Sequence, residues 1–144
     1  MSQPTIIIDT REQKPLEFKG MKTLRRKLEV GDYSIQGMTR SVVVERKSKE
    51  DLFSTMTGKN RERFRRELDR ADSLNMQIYI VVECPLWRVL LGSKYAHINP
   101  YRMLESLLRL GVNGNARLMF VENRSMATML VKTILIAHWK EAGA

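Results

Sequence analysis

Residues 42–51 read VVVERKSKED. Three successive β-branched residues, Val42 to Val44, predict a strand buried on both faces. That strand runs without a break into Glu45, Arg46 and Lys47. Full charges beside a core are costly unless they meet partners or a ligand. Side chains alternate along a strand, so Glu45 and Lys47 share one face and Arg46 takes the other. Ser48 followed by Asp51 fits an N-cap with an acid at the third helical position, opening a helix through KEDLFSTM. The stretch therefore reads as buried strand, charged tip and capped helix.

Upstream, TIIID is a short buried strand and REQKPLEFKG, with Pro15 and Gly20, is a loop. TLRRKLEVGDYSI is strand-like but broken by Gly31, and a bend there presents Asp32 at a strand junction, just past a strand. Downstream, Gly58 ends or bends the first helix. NRERFRRELDRADSL then reads as an amphipathic helix with Phe64, Leu68 and Ala71 on one face. MQIYIVVE is a buried strand, and CPLWRVLLG is short helix or irregular chain. Asn99-Pro100 opens a helix that ends at Gly111, and ARLMFVE is a further strand. In the closing helix, SMATMLVKTILIAHWKEA, the stripe Met126, Met129, Leu130, Ile134 and Ala137 reads as core packing in preference to a partner surface. Three leading strand segments followed by alternating helices and strands give an α/β domain. Short early connections favour an antiparallel hairpin and the later β–α units favour parallel neighbours, so the expected sheet is mixed, with helices on both faces.

The 144 residues suit one domain. Lys and Arg number 25 against 16 Asp and Glu, a net charge of +9. Such a charge points to a polyanionic partner, nucleic acid before an acidic membrane surface, with solubility alone as the bland alternative. A single cysteine, Cys84, cannot form an internal disulfide, and its apolar approach marks it as buried and inert. The first residues, MSQPTIIIDTREQK, do not resemble a secretory signal, and no apolar run is long enough to span a membrane. His97 and His138 are too isolated to suggest a zinc site and read as structural. Trp87 reads as a packing residue in preference to a base-stacking one.

If the Asp32 and Glu45 segments are neighbours in the sheet, two carboxylates and Lys47 meet at one spot. That is the D-x(n)-E-x-K arrangement of metal-dependent nucleases. Mg²⁺ takes one or two carboxylates and keeps several waters. It polarises a phosphate and lowers the pKa of a bound water, and a neighbouring lysine positions that water or stabilises charge on phosphorus. A salt-bridged strand end is the competing explanation of E-x-K alone.

The longer string is more specific. Gly31-Asp32, a short hairpin, then Glu45-Arg46-Lys47 and Asp51 resemble the G-D-x(n)-E-R-K-x-x-x-D signature of XPF-type structure-specific endonucleases, a branch of the PD-(D/E)XK superfamily. IIIDTRE matches the family's upstream D-x-R-E element at Asp9, Arg11 and Glu12, and TGKNRERF resembles its loop motif at Gly58 and Lys59. Arg63 stands where the family often has Gln. The likeness extends over about residues 5–140. It implies a restriction-endonuclease-like α/β core and a DNA endonuclease using Mg²⁺ or Mn²⁺ on branched, flapped or junction DNA. By the same resemblance Asp32 and Glu45, with the backbone carbonyl of Arg46, hold the metal, and Asp9 adds a carboxylate. Lys47 is the catalytic lysine, Asp51 supports the site, and Arg11 and Arg46 hold the scissile phosphate or neighbouring acids. Local ion pairing for Arg11 and Glu12, and a plain helix-dipole role for Asp51, stay open.

Residues 1–144 are expected to form one such nuclease domain without the helix–hairpin–helix or helicase modules of cellular relatives. That pattern looks like phage and mobile-element versions, which implies a cytoplasmic setting in a prokaryotic or phage-infected host. DNA must then be bound by the domain's own surface, by a homodimer or through an accessory partner. Lys59, Arg63, Arg66 and Arg70 follow helical spacing and are candidates for phosphate contacts, with a solvated face tied by Glu62–Arg66 as the alternative. A non-catalytic DNA-binding scaffold and an RNA-processing nuclease remain the rival functions; scaffold relatives lose acids from the motif, and this chain keeps them.

Overall fold

The computed structural model describes residues 3–111 and 116–143. Its strands are β1 (Ile6–Ile8), β2 (Thr23–Arg25), β3 (Tyr33–Ile35), β4 (Val42–Lys47), β5 (Gln77–Val82) and β6 (Ala116–Phe120). Its helices are α1 (Lys49–Thr55), α2 (Gly58–Ser73), α3 (Leu86–Val89), α4 (Pro100–Gly111) and α5 (Arg124–Glu141). The sheet order is β2-β1-β3-β4-β5-β6. The expected mixed sheet is present: β3 and β4 form the antiparallel hairpin, and β4, β5 and β6 run parallel. β1 pairs antiparallel with β3 and parallel with β2. The β1–β2 pairing was not foreseen, because loop residues 9–22 carry the chain back to start β2 from the same end.

β4 explains why three valines precede the charges. Val43 faces α1, α2 and α4 with Leu52, Phe53, Phe64, Leu68 and Met103. Val42 and Val44 face α5 with Tyr33, Ile35, Val131 and Leu135. Each fully buried side chain of this size contributes about 1.5–3 kcal/mol, so both faces hold the strand in register. The Ser48 cap is made as expected: Ser48 Oγ accepts from Asp51 N at 3.1 Å, and Asp51 Oδ2 accepts from Ser48 N at 3.3 Å. α1 ends before Gly58, which is the first residue of α2.

One expectation about α5 fails in part: of the expected stripe, Ile134 is buried and Leu130 packs against the core. The buried face of α5 is Ala127, Val131, Ile134 and Leu135, while Met126, Met129 and Ala137 are exposed. The helix carries apolar residues on several faces, so its periodicity has no sharp phase from which to choose the inner one. No described helix is long and apolar enough to cross a membrane.

Candidate active site

The site begins at Gly31. Its φ is +83°, and a Cβ there would stand 2.9 Å from Val43 Cβ. Both constraints demand glycine, and together they let the chain press onto β4 just before β3 starts. Asp32 therefore precedes β3; the sequence reading had placed it after a strand. Its N–H donates to Val44 O at 2.8 Å, and its own carbonyl accepts from Asp9 N at 2.8 Å. Extending the registers Ile8↔Tyr33 and Tyr33↔Val44 by one residue sets Asp9, Asp32 and Glu45 in a row across three strands.

Glu45 and Lys47 share the face toward α1 and α2, as alternation requires. Lys47 is buried, its Nζ 3.8 Å from Glu45 Oε1. Nζ donates to Thr55 Oγ1 at 3.0 Å and lies 5.0 Å from the centre of the Phe64 ring. The last turn of α1 and the first half of α2 thus aim the ammonium group. Burial, then the charge of nearby Glu12 and Glu67, pushes the Asp32 carboxyl up to about 6, against the pull of the Arg46 N–H and of Lys47. Burial raises Glu45 well above the carboxylate range, helped by the charges of Asp32 and Glu67 and by a hydrogen bond with Glu67. A pair of carboxyls that resists ionisation is short of positive charge.

Glu67 is the residue that sequence reading missed. It comes from α2 and accepts from Gly31 N at 3.2 Å. With Asp9, Arg11, Asp32 and Glu45 it lines a cleft of about 520 Å³ whose far wall is Arg63, Arg66 and Arg70. Glu67 lies four residues after Arg63 and three before Arg70, so the helical spacing that aligns the arginines also held the clue. Thr55 was missed too, though it sits four residues after Asp51 on the same helical face. Lys59, in the first turn of α2, lies outside this lining.

A second opening, of about 320 Å³, continues the site between Arg11, Glu12, Lys47, Asp51, Ser54 and Thr55. Asp51 faces it, with one carboxylate oxygen spent on the cap. Asp9 is less free than expected of a metal ligand. Its Oδ1 accepts from Leu28 N at 2.7 Å and Arg11 Nη2 at 3.2 Å. Its Oδ2 accepts from Arg11 Nε at 2.8 Å and Arg11 N at 3.1 Å. Burial raises its pKa, but the hydrogen bonds from Arg11 and Leu28 outweigh that and hold it low. Asp9 thus anchors Arg11, whose guanidinium borders both openings.

Arg46 also departs from part of its expected role. Its side chain turns to the α5 face, and its guanidinium is held by neighbouring acids. Nε and Nη2 donate to Glu12 at 3.2 Å each, Nη1 to Glu83 Oε1 at 2.7 Å, and Nη2 to Lys14 O at 2.9 Å. Tyr33 Oη donates to Glu12 Oε2 at 3.1 Å. Four of its five N–H groups are thus engaged by Glu12, Glu83 and Lys14, which leaves little of this guanidinium for a phosphate. The backbone of Arg46 does belong to the site. Lys47 O accepts from Glu83 N on the β5 side. Carbonyls alternate along a strand, so Arg46 O points to the opposite side, where Arg46 N donates to Asp32 Oδ2 at 2.8 Å.

The donors fit a hydrated divalent cation: two electron-rich, charge-short carboxyls and one carbonyl on a shared edge. Among the described residues, no three His, Cys, Asp or Glu side chains converge as a ready metal cage. A partly hydrated ion is what such a set would hold. Elsewhere, Cys84 is buried and its thiol pKa is raised by that burial. His138 packs edge-on to Tyr79 and shares a 2.8 Å hydrogen bond with its hydroxyl. His97 is exposed, so the structural role read for it has no packing behind it. Trp87 is 59% exposed, which overturns its reading as a packing residue.

Comparison with known proteins bears on the fold and the family. The solved structure "XPF from Aeropyrum pernix" is similar to the chain with a TM-score of 0.76 and 20% identity, covering 98% of this chain and 64% of that one. "XPF from Aeropyrum pernix, complex with DNA" gives 0.74 and 19%, covering 96% and 66%. The chain thus spans just under two thirds of those structures and has their nuclease-domain fold. A comparison with curated proteins found no match. The ERCC4 domain matches residues 8–134, and the chain belongs to that family.

Proposed function

We propose that the protein is a metal-dependent DNA endonuclease that hydrolyses phosphodiester bonds in branched, flapped or junction DNA. The observation that carries this reading is the convergence of Asp32, Glu45 and Lys47 at the tip of β3 and β4, opposite the α2 arginines. Asp32, Glu45 and Arg46 O would hold the Mg²⁺ or Mn²⁺. When bound, that ion polarises the phosphate and makes a coordinated water acidic. Arg63, Arg66 and Arg70 bind the backbone phosphates, without reading sequence. Lys47, paired with Glu45, meets the charge that builds on the phosphate oxygens. Thr55 and Phe64 hold it there, so little reorganisation is needed at the transition state. Arg11, braced by Asp9, flanks the phosphate. DNA as the substrate is supported by the DNA complex of the Aeropyrum pernix protein, and the preference for branched DNA rests on membership of the family. A panel of end-labelled flaps, forks, four-way junctions and blunt duplexes, with a matched RNA flap, tests it. Cleavage near the branch point of DNA in Mg²⁺ but not in EDTA is expected. Failure to cut any DNA, or preferential cutting of the RNA flap, would refute it.

A further inference from the structure

We infer that residues 86–102 form a second nucleic-acid contact, an aromatic and basic rim on which unpaired bases stack. The inference rests on the nuclease reading above and names the part of a branched substrate that this surface takes.

Position comes first. β4 and β5 are parallel with Lys47 opposite Val82, so the chain leaving β5 emerges at the end of the sheet that carries Lys47. It enters α3 four residues later. Ser93 Oγ then donates to Glu50 Oε2 in the first turn of α1. Glu50 adjoins Asp51, which borders the opening around Glu45 and Lys47. The acids thus have the α2 arginines on one flank and the α1 turn, with the rim tied to it, on the other.

Chemistry comes second. Trp87, Tyr95 and Tyr101 are 59%, 82% and 66% exposed. Rings of this size left in water offer open π faces. Arg88 already stacks on Trp87, with Cζ 5.1 Å from the ring centre. Between Leu86 and Arg102 the sequence has Arg88, Lys94 and Arg102 and no acid at all. Exposed aromatics interleaved with cations suit single-stranded nucleic acid, where bases are free to stack and phosphates follow alongside. In duplex DNA the base faces are hidden. A second copy of this chain fits less well, since a two-fold contact would press the same cations together on a molecule of charge +9.

Trp139→Phe leaves Trp87 as the only tryptophan and a reporter of stacking. In Ca²⁺, oligo(dT) and a forked DNA should quench its emission, and a blunt duplex of equal phosphate content should not. Trp87→Ala with Tyr95→Ala should weaken binding to the fork at least ~10-fold, the scale of a lost base stack, with blunt-duplex affinity and thermal midpoint unchanged. Emission indifferent to oligo(dT), or equal weakening on fork and duplex, would overturn the rim. So would a loss of self-association in sedimentation with DNA affinity unchanged, which would assign the face to a second copy. Quenching without cleavage of any DNA would leave the rim standing and refute the nuclease. Cleavage of forks with no quenching would do the reverse.

Discussion

Lys47 is held by three contacts of different kind, an ion pair with Glu45, a hydrogen bond to Thr55 and the face of Phe64. Such an arrangement spends nothing on reach and everything on aim, so its effect belongs to the transition state. Lys47→Ala is expected to bind branched DNA in Ca²⁺ within a few-fold of wild type and to cleave at least ~100-fold more slowly in single turnover. Lys47→Arg should not rescue it, because a planar fork cannot replace a compact ammonium in that slot. Equal losses of binding and rate would make Lys47 an ordinary phosphate anchor. Asp32 gives a second test, without DNA. Its folded pKa, about 6, lies above the ordinary 3.8. Well below pH 3.8 the carboxyl is protonated in folded and unfolded chains alike and contributes nothing. Between the two values the folded protein holds the extra proton, so stability falls as pH rises through this window and stays lower above it. Asp32→Asn should therefore stabilise the metal-free protein at pH 7 by roughly 2–3 kcal/mol, and by little near pH 4. Thermal melts at the two pH values check this; a variant less stable at pH 7 would mean that the site is not short of positive charge. Glu45 and Lys47 were legible because a period of two needs only the strand. Glu67 and Thr55 were not singled out, because contacts across 22 and 8 positions depend on how α2 and α1 pack on the sheet.

α2 carries arginines toward the cleft on one stripe and Phe64, Leu68 and Ala71 toward the core on another. If Arg63, Arg66 and Arg70 each neutralise a phosphate, reversing all three charges should flatten the log-affinity against log-salt slope by about 0.9 per contact on duplex DNA. An unchanged slope in a salt titration would place the DNA on another face. β4 meets a different demand on its α5 side. Arg46, Glu12 and Glu83 form a mostly buried charge cluster that ties the 9–22 loop to β4 and the end of β5. Arg46→Ala leaves two carboxylates there without their cation, which typically costs about 3–5 kcal/mol. Urea denaturation should show that loss, whereas a fully stable variant would mean the cluster is solvated. Elements with one clear period, such as β4 and α2, were readable within a few residues. α5 was found but its inner face was only partly placed, at Leu130 and Ile134, since apolar residues on several faces leave its phase to tertiary packing. β2 is a short, exposed edge strand, and nothing local specifies its parallel partner β1.

Over the whole molecule, Asp9, Asp32 and Glu45 align at one end of the sheet because the β1–β3 and β3–β4 registers agree there. α1, α2 and the chain beyond β5 gather around that end. The +9 charge, the mixed α/β architecture and the signature residues were visible before any contact was known. The exposed aromatics were not, because Trp87 looks the same in sequence whether it is packed or displayed. Asp32 and Glu45 are proposed to make this end of the sheet a cleaving site and not only a DNA-binding one. Single-turnover cleavage of a forked DNA by wild type and by Glu45→Gln, with both proteins saturated on DNA, tests this proposal most directly. Glu45→Gln keeps the side chain's shape and removes its charge. Wild type should cleave only with metal, and the variant should lose at least ~100-fold in rate with affinity in Ca²⁺ nearly unchanged. Wild-type cleavage that survives EDTA, or a Glu45→Gln protein that cuts as fast as wild type, would contradict the proposal.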